Sequence, residues 1–450
     1  MNVQIRKTKA EQTLGEHFEA VARLLPGDRW VKDLRAEAMG MFAATGLPHR
    51  RIEAWKYTDL RERLKEALTP AVADRTAVAA AELDAALGPL AHLPGPRIVF
   101  VNGAYSADLS RSAGLDEAVF HSLSVLLRGG KGVRPDWLEA NLRPQQPAGS
   151  AGAPLVLNTA FMTDGAIVCI GRNAKPVHPL HLVFAGAGSQ GRSVAVRNEL
   201  RIGAGARLTI VESYVNVGGA AHQTNAVTHL QVAEAAEVAH IKVVPPGPNA
   251  LHLSTWIMDI GAGAAYRGFQ FTAGTALARN DIHALFRAPG ARFDLSGAFL
   301  ARGAEHIDTT LVVDHAVPGC SSRELFKGVL DERARGVFQG KIVVRPDAQK
   351  TDGKQMAQVL MLSEEAEFDS KPELEINADD VVCGHGSTSA DLDSDLVFYC
   401  RSRGIPEAQA RALLIEAFVG EALDKVEPGA AQDALRDIAH AWLAGATRRT

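Results

Sequence analysis

The sequence is poor in cysteine. It has four in 450 residues, and no two of them form a C-x-x-C pair: Cys169, Cys320, Cys383 and Cys400. Zinc ribbons and ferredoxin-type clusters depend on such spacings and are therefore excluded. A four-cysteine cluster held by this chain alone is not expected either, because it would use every cysteine present. We expect free thiols, as in a reducing compartment.

Long apolar runs and a strong charge bias are also missing. No apolar run approaches the ~18–20 residues of a transmembrane helix. Met1–Lys7 has no apolar segment behind its charges, which argues against a secretory signal. The 48 Lys and Arg against 52 Asp and Glu leave a net charge of −4, so electrostatic binding to nucleic acid is not expected. These absences predict a cytoplasmic protein with neither a membrane nor a nucleic-acid partner.

Sequence motifs for nucleotide binding and hydrolysis are absent as well. The glycine-rich segments Gly203–Gly205 and Gly261–Gly263 lack the lysine and the hydroxyl residue of a P-loop and do not open helices. There is no G-x-S-x-G elbow and no H-E-x-x-H, and nothing in the sequence points to a Ser-His-Asp triad. We predict that this chain binds no nucleotide.

The pattern of what is present divides the chain into four segments. Apolar residues recur at helical spacing near both ends, whereas short β-type runs dominate the middle. Pro144–Pro154 is rich in Pro, Gly and Ala, and is predicted to be a linker. The predicted segments are an N-terminal helical domain (1–95), a mixed segment with the linker (96–154), a β-helix core (155–390) and a C-terminal helical domain (391–450).

Similar turns recur through the middle segment. They start 27 to 30 residues apart: Ile202–Ala206, Val232–Ala236, Ile260–Ala264, Arg287–Ala291, His315–Gly319 and Arg345–Ala348. A recurring step of this size indicates stacked supersecondary units, each with two β-runs and no helix. We therefore predict a mainly β fold, a parallel β-helix (solenoid) core flanked by N-terminal and C-terminal helical domains. A β-sandwich ranks second, because its turns would come every ~8–12 residues.

The strongest candidate site is Cys383-Gly384-His385. Residues two apart in a strand share a face, so the thiol and the imidazole emerge side by side. Such a pair suits zinc or iron, but two ligands are only half of a metal site. The structural alternative is a half-buried cysteine beside a histidine that bonds to backbone. The nearby Asp379 and Asp380 are either further ligands or, as we favour, turn formers.

Two other clusters have structural readings that we favour. His306, Asp308 and the pair Asp314-His315 would suit a metal site, but such a set on a solenoid exterior is more often a solvated face. Trp55 and Tyr57 stand between charges and read as an anchor that packs one domain on another.

A helix in Arg403–Val426 has a wide apolar face, with Pro406 near its first turn. The face either docks on another protein or packs against the solenoid as a cap. The residues we assign to partner binding are Pro406, Leu413, Leu414, Ala417 and Phe418.

Four segments in order resemble the SufB/SufD family of iron–sulfur cluster assembly proteins. They cover nearly the whole chain: Pro48 to Leu60 (with Arg51-x-Glu53-x-Trp55-Lys56-Tyr57-Thr58), Glu305-His306-Ile307-Asp308, Phe338-x-Gly340-x-Ile342 and Cys383-x-His385-Gly386. The SufD branch is the closer likeness, because SufB proteins carry a cysteine-rich motif near the N-terminus and this chain has no cysteine before Cys169.

The resemblance implies a non-catalytic scaffold subunit of an ATP-driven SufBCD-type complex. It implies a SufB-like partner at the C-terminal end of the β-helix and a SufC-like ATPase on the C-terminal helices. His385 would act at the subunit interface with a partner cysteine, where iron or a nascent cluster is held transiently, and Cys383 is a weaker candidate ligand. A flavin, if the complex carries one, would belong to the partner.

Two alternatives remain open at this stage. A β-solenoid enzyme acting on polysaccharides would need carboxylate pairs ~5–9 Å apart on one face, which a sequence does not reveal. A purely structural SufB/SufD homologue, as a homodimer or as a partner subunit, would stabilise the complex without contact to the cluster.

Overall fold

A computed structural model describes residues 7–72, 76–115, 117–129, 132–143, 152–247 and 249–447. The predictions for Met1–Lys7 and for the linker Pro144–Pro154 fall largely outside these ranges. The helices are α1 (Lys9–Val21), α2 (Arg29–Thr45), α3 (Leu60–Arg63), α4 (Ala80–Leu87), α5 (Leu123–Arg128), α6 (Asp136–Leu142), α7 (Gly152–Phe161), α8 (Ser394–Ser402), α9 (Glu407–Leu423) and α10 (Ala430–Thr447), with 3-10 turns at Glu53–Trp55 and Gly88–His92.

The strands of the first half are β1 (Arg97–Val101), β2 (Ala104–Arg111), β3 (Ala118–Ser122), β4 (Ala166–Ile170), β5 (Leu180–Ala187), β6 (Ser193–Ile202), β7 (Arg207–Val217), β8 (His222–Val232) and β9 (Glu237–Val244). Those of the second half are β10 (Asn249–Ile260), β11 (Ala265–Ala273), β12 (Leu277–Phe286), β13 (Arg292–Ala301), β14 (His306–His315), β15 (Ser321–Leu330), β16 (Arg335–Val344), β17 (Asp352–Met361), β18 (Glu367–Ile376) and β19 (Val382–Ala390).

The strands alternate between two stacked sheets. Within the described ranges, odd-numbered strands from β5 to β19 form a ten-stranded sheet together with β1 and β2, and even-numbered strands from β4 to β18 form a nine-stranded sheet with β3. All adjacent pairs among strands β4 to β19 are parallel, and so is the β1–β5 pair. This is a parallel β-solenoid, so the predicted fold class is confirmed.

The recurring turns are the corners between the two sheets. Each joins an even-numbered strand to the next odd-numbered one, and a residue with positive φ stands in five of them: Gly205, Ala235, Gly263, Gly290 and Gly319. Glycine adopts this left-handed conformation without steric cost, which explains why small residues recur there. Alternate strand residues point inward and form one continuous core between the sheets.

The N-terminal region is fixed to the outer face of the nine-stranded sheet. Trp55 is buried, and the Arg279 guanidinium lies 3.8 Å from its ring centre. Arg279 also donates to the Ala54 carbonyl (2.9 Å) and pairs with Asp308 (2.5 Å). Trp55 thus serves as the predicted anchor, while Tyr57 is only half-buried.

Our solvated-face interpretation of the His306 cluster is wrong. His306 and Asp308 are fully buried, and both hydrogen-bond to the Thr58 hydroxyl, because the N-terminal region covers this part of the sheet. His315 faces the interior and contacts the Ser322 hydroxyl at 3.1 Å. Asp314 pairs with Arg345 on the outside. These four side chains therefore form no common site.

The C-terminal helices pack on the outer face of the ten-stranded sheet. Ile415 and Val419 of α9 join a buried cluster with Val329 of β15 and with residues of α10. Lys327 of β15 is buried, lies 4.2 Å from the centre of the Phe418 ring and pairs with Glu421. In the part of the chain that the structure describes, no helix is long and apolar enough to cross a membrane.

Candidate functional site

Cys383 and His385 lie on β19, the terminal strand of the ten-stranded sheet. In the described chain β19 pairs on one side only, with β17, so that Cys383 opposes Gly353 and His385 opposes Gln355. Cys383 packs against the small core cluster around Ile342, which places it on the inward side of the strand. His385, two residues on, shares that face.

The site stands at an open end of the solenoid. Among the described residues no further rung covers β18 and β19, and accordingly His385 is exposed and Cys383 half-buried. A Cβ atom added at Gly384 would meet nothing within 4 Å, so the glycine between the two side chains leaves free space. A cavity of about 570 Å³ lies beside this end, lined in part by Cys383, His385, Gln355 and Glu324, and in part by Lys354, Met356 and Lys425.

The Cys383 thiol is held in its neutral form. Burial raises its pKa, and the charge of Asp352 raises it further, against a hydrogen bond from the Gly353 backbone that lowers it. A thiolate, not a thiol, is the metal ligand. Cys383 thus needs a cation or a partner's positive charge before it can coordinate, which makes it the weaker of the two candidates.

The preceding aspartates behave as turn residues. Asp379 and Asp380 lie in the bend between β18 and β19. The Asp380 backbone N–H donates to the Gln349 side chain (2.9 Å), and its carboxylate pairs with Lys350. Within the described ranges, no group of three or more His, Cys, Asp and Glu side chains is placed to hold a metal ion. The Cys383/His385 pair therefore remains half of a site, and its role remains a prediction.

The residues assigned to partner binding differ in exposure. Pro406, Leu413 and Ala417 are exposed, whereas Leu414 and Phe418 are half-buried against the protein's own surface. Sequence reasoning missed a more prominent apolar surface on α8, where Phe398 and Tyr399 are 71% and 53% exposed. Its signal was the run Leu396-Val397-Phe398-Tyr399, four apolar or aromatic residues in a row in a short helix.

Sequence reasoning also missed Glu324 and Gln355, which share the cavity with Cys383 and His385. Both belong to strands with ordinary alternation, and one glutamate in such a run reads as a surface residue. Only the pairing of neighbouring strands brings them under His385. Glu324 opposes Gln355, and Gln355 opposes His385.

Fold and candidate site together define a class of protein, a β-solenoid with helical ends and a cysteine–histidine pair at an open edge. The chain belongs to the SufBD family of iron–sulfur cluster assembly proteins. Residues 184–418 match the SufBD core domain of the SUF system for FeS cluster assembly, and residues 8–182 match the SufBD N-terminal region. The expected family resemblance is confirmed.

Relatives match over most of the chain. A SufBD family iron–sulfur cluster assembly protein of Synechocystis is 32% identical over 89% of this chain and 89% of its own length. The iron–sulfur cluster assembly protein SufD of Escherichia coli is 29% identical over 89% and 91%. A SufBD family protein of Mycobacterium tuberculosis is 30% identical over 65% and 76%. The chain is thus SufD-like, with a part in iron–sulfur cluster assembly.

Proposed function

We propose that this chain is a SufD-like, non-catalytic scaffold subunit of a SufBCD-type complex, and that His385 contributes to iron entry or nascent cluster assembly at a subunit interface. The observation that supports this most directly is the half-site at the open end. An exposed imidazole and a thiol share the inward-pointing face of β19, and in the described chain one edge of this strand has no neighbouring strand. Iron or a cluster is the cargo here, held transiently and completed by ligands from a partner.

A SufB-like paralogue fits the open end of the solenoid. The free edges of β18 and β19 present unpaired backbone groups, and strand addition from a second solenoid would satisfy them. The same edge would accept a second copy of this chain, so a homodimer is expected when the partner is absent. The partner's thiols would then lie opposite His385, which supplies the ligands this chain lacks.

A SufC-like ATPase fits the C-terminal helices. The exposed Phe398, Tyr399 and Leu413 supply an apolar docking surface, and the chain has no phosphate-binding loop of its own. Because Lys327 links α9 to β15, which also carries Glu324, a movement of α9 would reach the strand beneath the site. ATP-driven closure of the partner would in this way alter the interface around His385.

The test is co-expression with SufB-like and SufC-like partners, followed by iron and sulfide analysis of the purified complex. We expect His385→Ala to leave the complex intact and to lower bound iron and sulfide at least tenfold. His121→Ala is the matched control. His121 is also an exposed strand histidine, but it lies on β3, the edge strand of the nine-stranded sheet at the end away from β18 and β19. A wild-type cluster yield in an intact His385→Ala complex would contradict the proposal and favour a purely structural role.

A further inference from the structure

Glu324 is a buried carboxyl group that has no hydrogen-bond partner. It lies on β15, where Phe326, two residues on, belongs to the interior core, so Glu324 also points inward. Its side chain is 3% exposed, and neither carboxyl oxygen meets hydrogen-bond geometry with any group of the described chain. The nearby Ser322 hydroxyl favours the ionised form of Glu324 and so lowers its pKa. The hydrogen-bond partner of that hydroxyl is, however, His315, at 3.1 Å.

The other deeply buried carboxylates of the chain are satisfied. Glu199 pairs with Arg197 and His229, and Glu212 accepts hydrogen bonds from its neighbours His240 and Tyr214. An unsatisfied buried carboxyl costs free energy, and such groups in native proteins usually have a functional explanation. The fold satisfies its carboxylates elsewhere, which sets Glu324 apart.

Gln355 adds a second buried oxygen without a partner. Its Nε2 donates to the Gly340 carbonyl (3.1 Å) and the Glu373 carbonyl (3.3 Å), so the side chain spans the interior and its orientation is fixed. Its Oε1 has no partner in the described chain. Glu324 and Gln355 oppose each other on adjacent strands, which lie about 4.8 Å apart.

The two residues share one cavity with the half-site. Glu324, Gln355, Cys383 and His385 all line the same space of about 570 Å³, whose wall also includes Lys354, Met356 and Lys425. An ion held in this space would lie beside both the half-site and the strands that carry Glu324 and Gln355.

We propose that Glu324 and Gln355 form an inner oxygen site for a divalent cation, Fe²⁺ as cargo, one rung inside the His385 half-site. The inference rests on the proposed function, because the cation of this site would be the iron that the proposed cluster assembly uses. Carboxylate and amide oxygens suit hard and borderline divalent ions, and water completes their coordination. Few protein ligands make the binding weak, which suits an ion that must move on to the interface.

The test is a Mn²⁺ titration of the isolated full-length chain, followed by electron paramagnetic resonance. Mn²⁺ prefers oxygen ligands and stands in for Fe²⁺. We expect one saturable site in the wild type, at least tenfold weaker binding in Glu324→Gln, and unchanged binding in Glu364→Gln. Glu364 is an exposed glutamate in the turn after β17 and controls for loss of a surface charge. No saturable site in the wild type, or unchanged affinity in Glu324→Gln, would overturn the inference.

A gain-of-binding variant tests the same site without loss of a ligand. Gln355→Glu adds a second carboxylate at the same position, and we expect at least tenfold tighter Mn²⁺ binding. Affinity equal to or below that of the wild type would contradict the inner site. This variant also keeps the question answerable if Glu324→Gln folds poorly, which circular dichroism would reveal.

The outcomes separate this inference from the proposed function. His385→Ala should bind Mn²⁺ within twofold of the wild type, because its imidazole is not a ligand of the inner site. If Glu324→Gln binds normally while His385→Ala abolishes cluster formation in the complex, the inner site fails alone. If Mn²⁺ binding depends on Glu324 but the His385→Ala complex assembles clusters normally, the role of His385 fails alone.

Discussion

Replacement of Glu324 by glutamine should change how the stability of the protein depends on pH. Burial, with a smaller contribution from the charge of Asp294, raises the pKa of Glu324 to about 8, and the Ser322 hydroxyl and Arg323 oppose this shift only in part. The folded chain therefore keeps this proton in the neutral range. Glutamine has nearly the same shape and does not titrate, so the substitution removes this one ionisation.

The sign and the size follow from proton linkage. The unfolded chain releases the proton near its ordinary pKa of 4.5, whereas the folded chain holds it to about 8. The contribution to stability is fully present below the unfolded value and is lost as pH rises through the folded value. Each pH unit in this window costs about 1.4 kcal/mol, or about 3 kcal/mol between roughly pH 5 and pH 7.5.

The assay is urea unfolding of the wild type and of Glu324→Gln at several pH values in that window. The free energy of unfolding of the variant minus that of the wild type should rise by about 1.4 kcal/mol per pH unit. A constant cost of burying the amide shifts this difference but leaves its slope unchanged. Glu364→Gln should give a curve parallel to the wild type. Parallel curves for Glu324→Gln as well would refute the assigned burial and protonation.

Two further substitutions test the packing that positions the site. Trp55→Ala removes the ring beneath Arg279, and we expect a loss of about 3–5 kcal/mol, seen as early proteolysis of the N-terminal region, with exposed Arg51→Ala unchanged. Gly328→Ala would place a Cβ atom 2.2 Å from the Phe299 ring, so a loss of about 1–3 kcal/mol and a lower Tm are expected. Gly384→Ala is its control, because a Cβ atom there meets nothing within 4 Å and Tm should not change.

The solenoid could be predicted because its signal is local and repeated. Each corner needs small residues and one positive φ, so turns such as Ile202–Ala206 and Ile260–Ala264 look alike in sequence. The Cys383/His385 pair could be predicted for the same reason, since alternation within one strand already sets its geometry.

The features that could not be predicted depend on contacts between segments that are distant in sequence. His306 and Asp308 read as surface residues because nothing in their own strand shows that Thr58 and the N-terminal region cover them. The burial of Glu324 is not visible in its own strand, because it follows from the stacking of β15 under β17 and β19. Whether a polar side chain is buried depends on the residues that pack around it. In a solenoid those residues belong to rungs that lie one or two repeats away along the chain.

The bond between Thr58 and Asp308 has a consequence for the order of synthesis. The two residues are 250 positions apart, so at 5–20 residues per second the ribosome makes Asp308 roughly 10–50 s after Thr58. For most of that interval Trp55 has no Arg279 to pack against, and throughout it Thr58 has no Asp308 to bond to. The N-terminal region therefore leaves the ribosome before the surface it covers exists, and it needs protection from aggregation until the middle rungs have stacked.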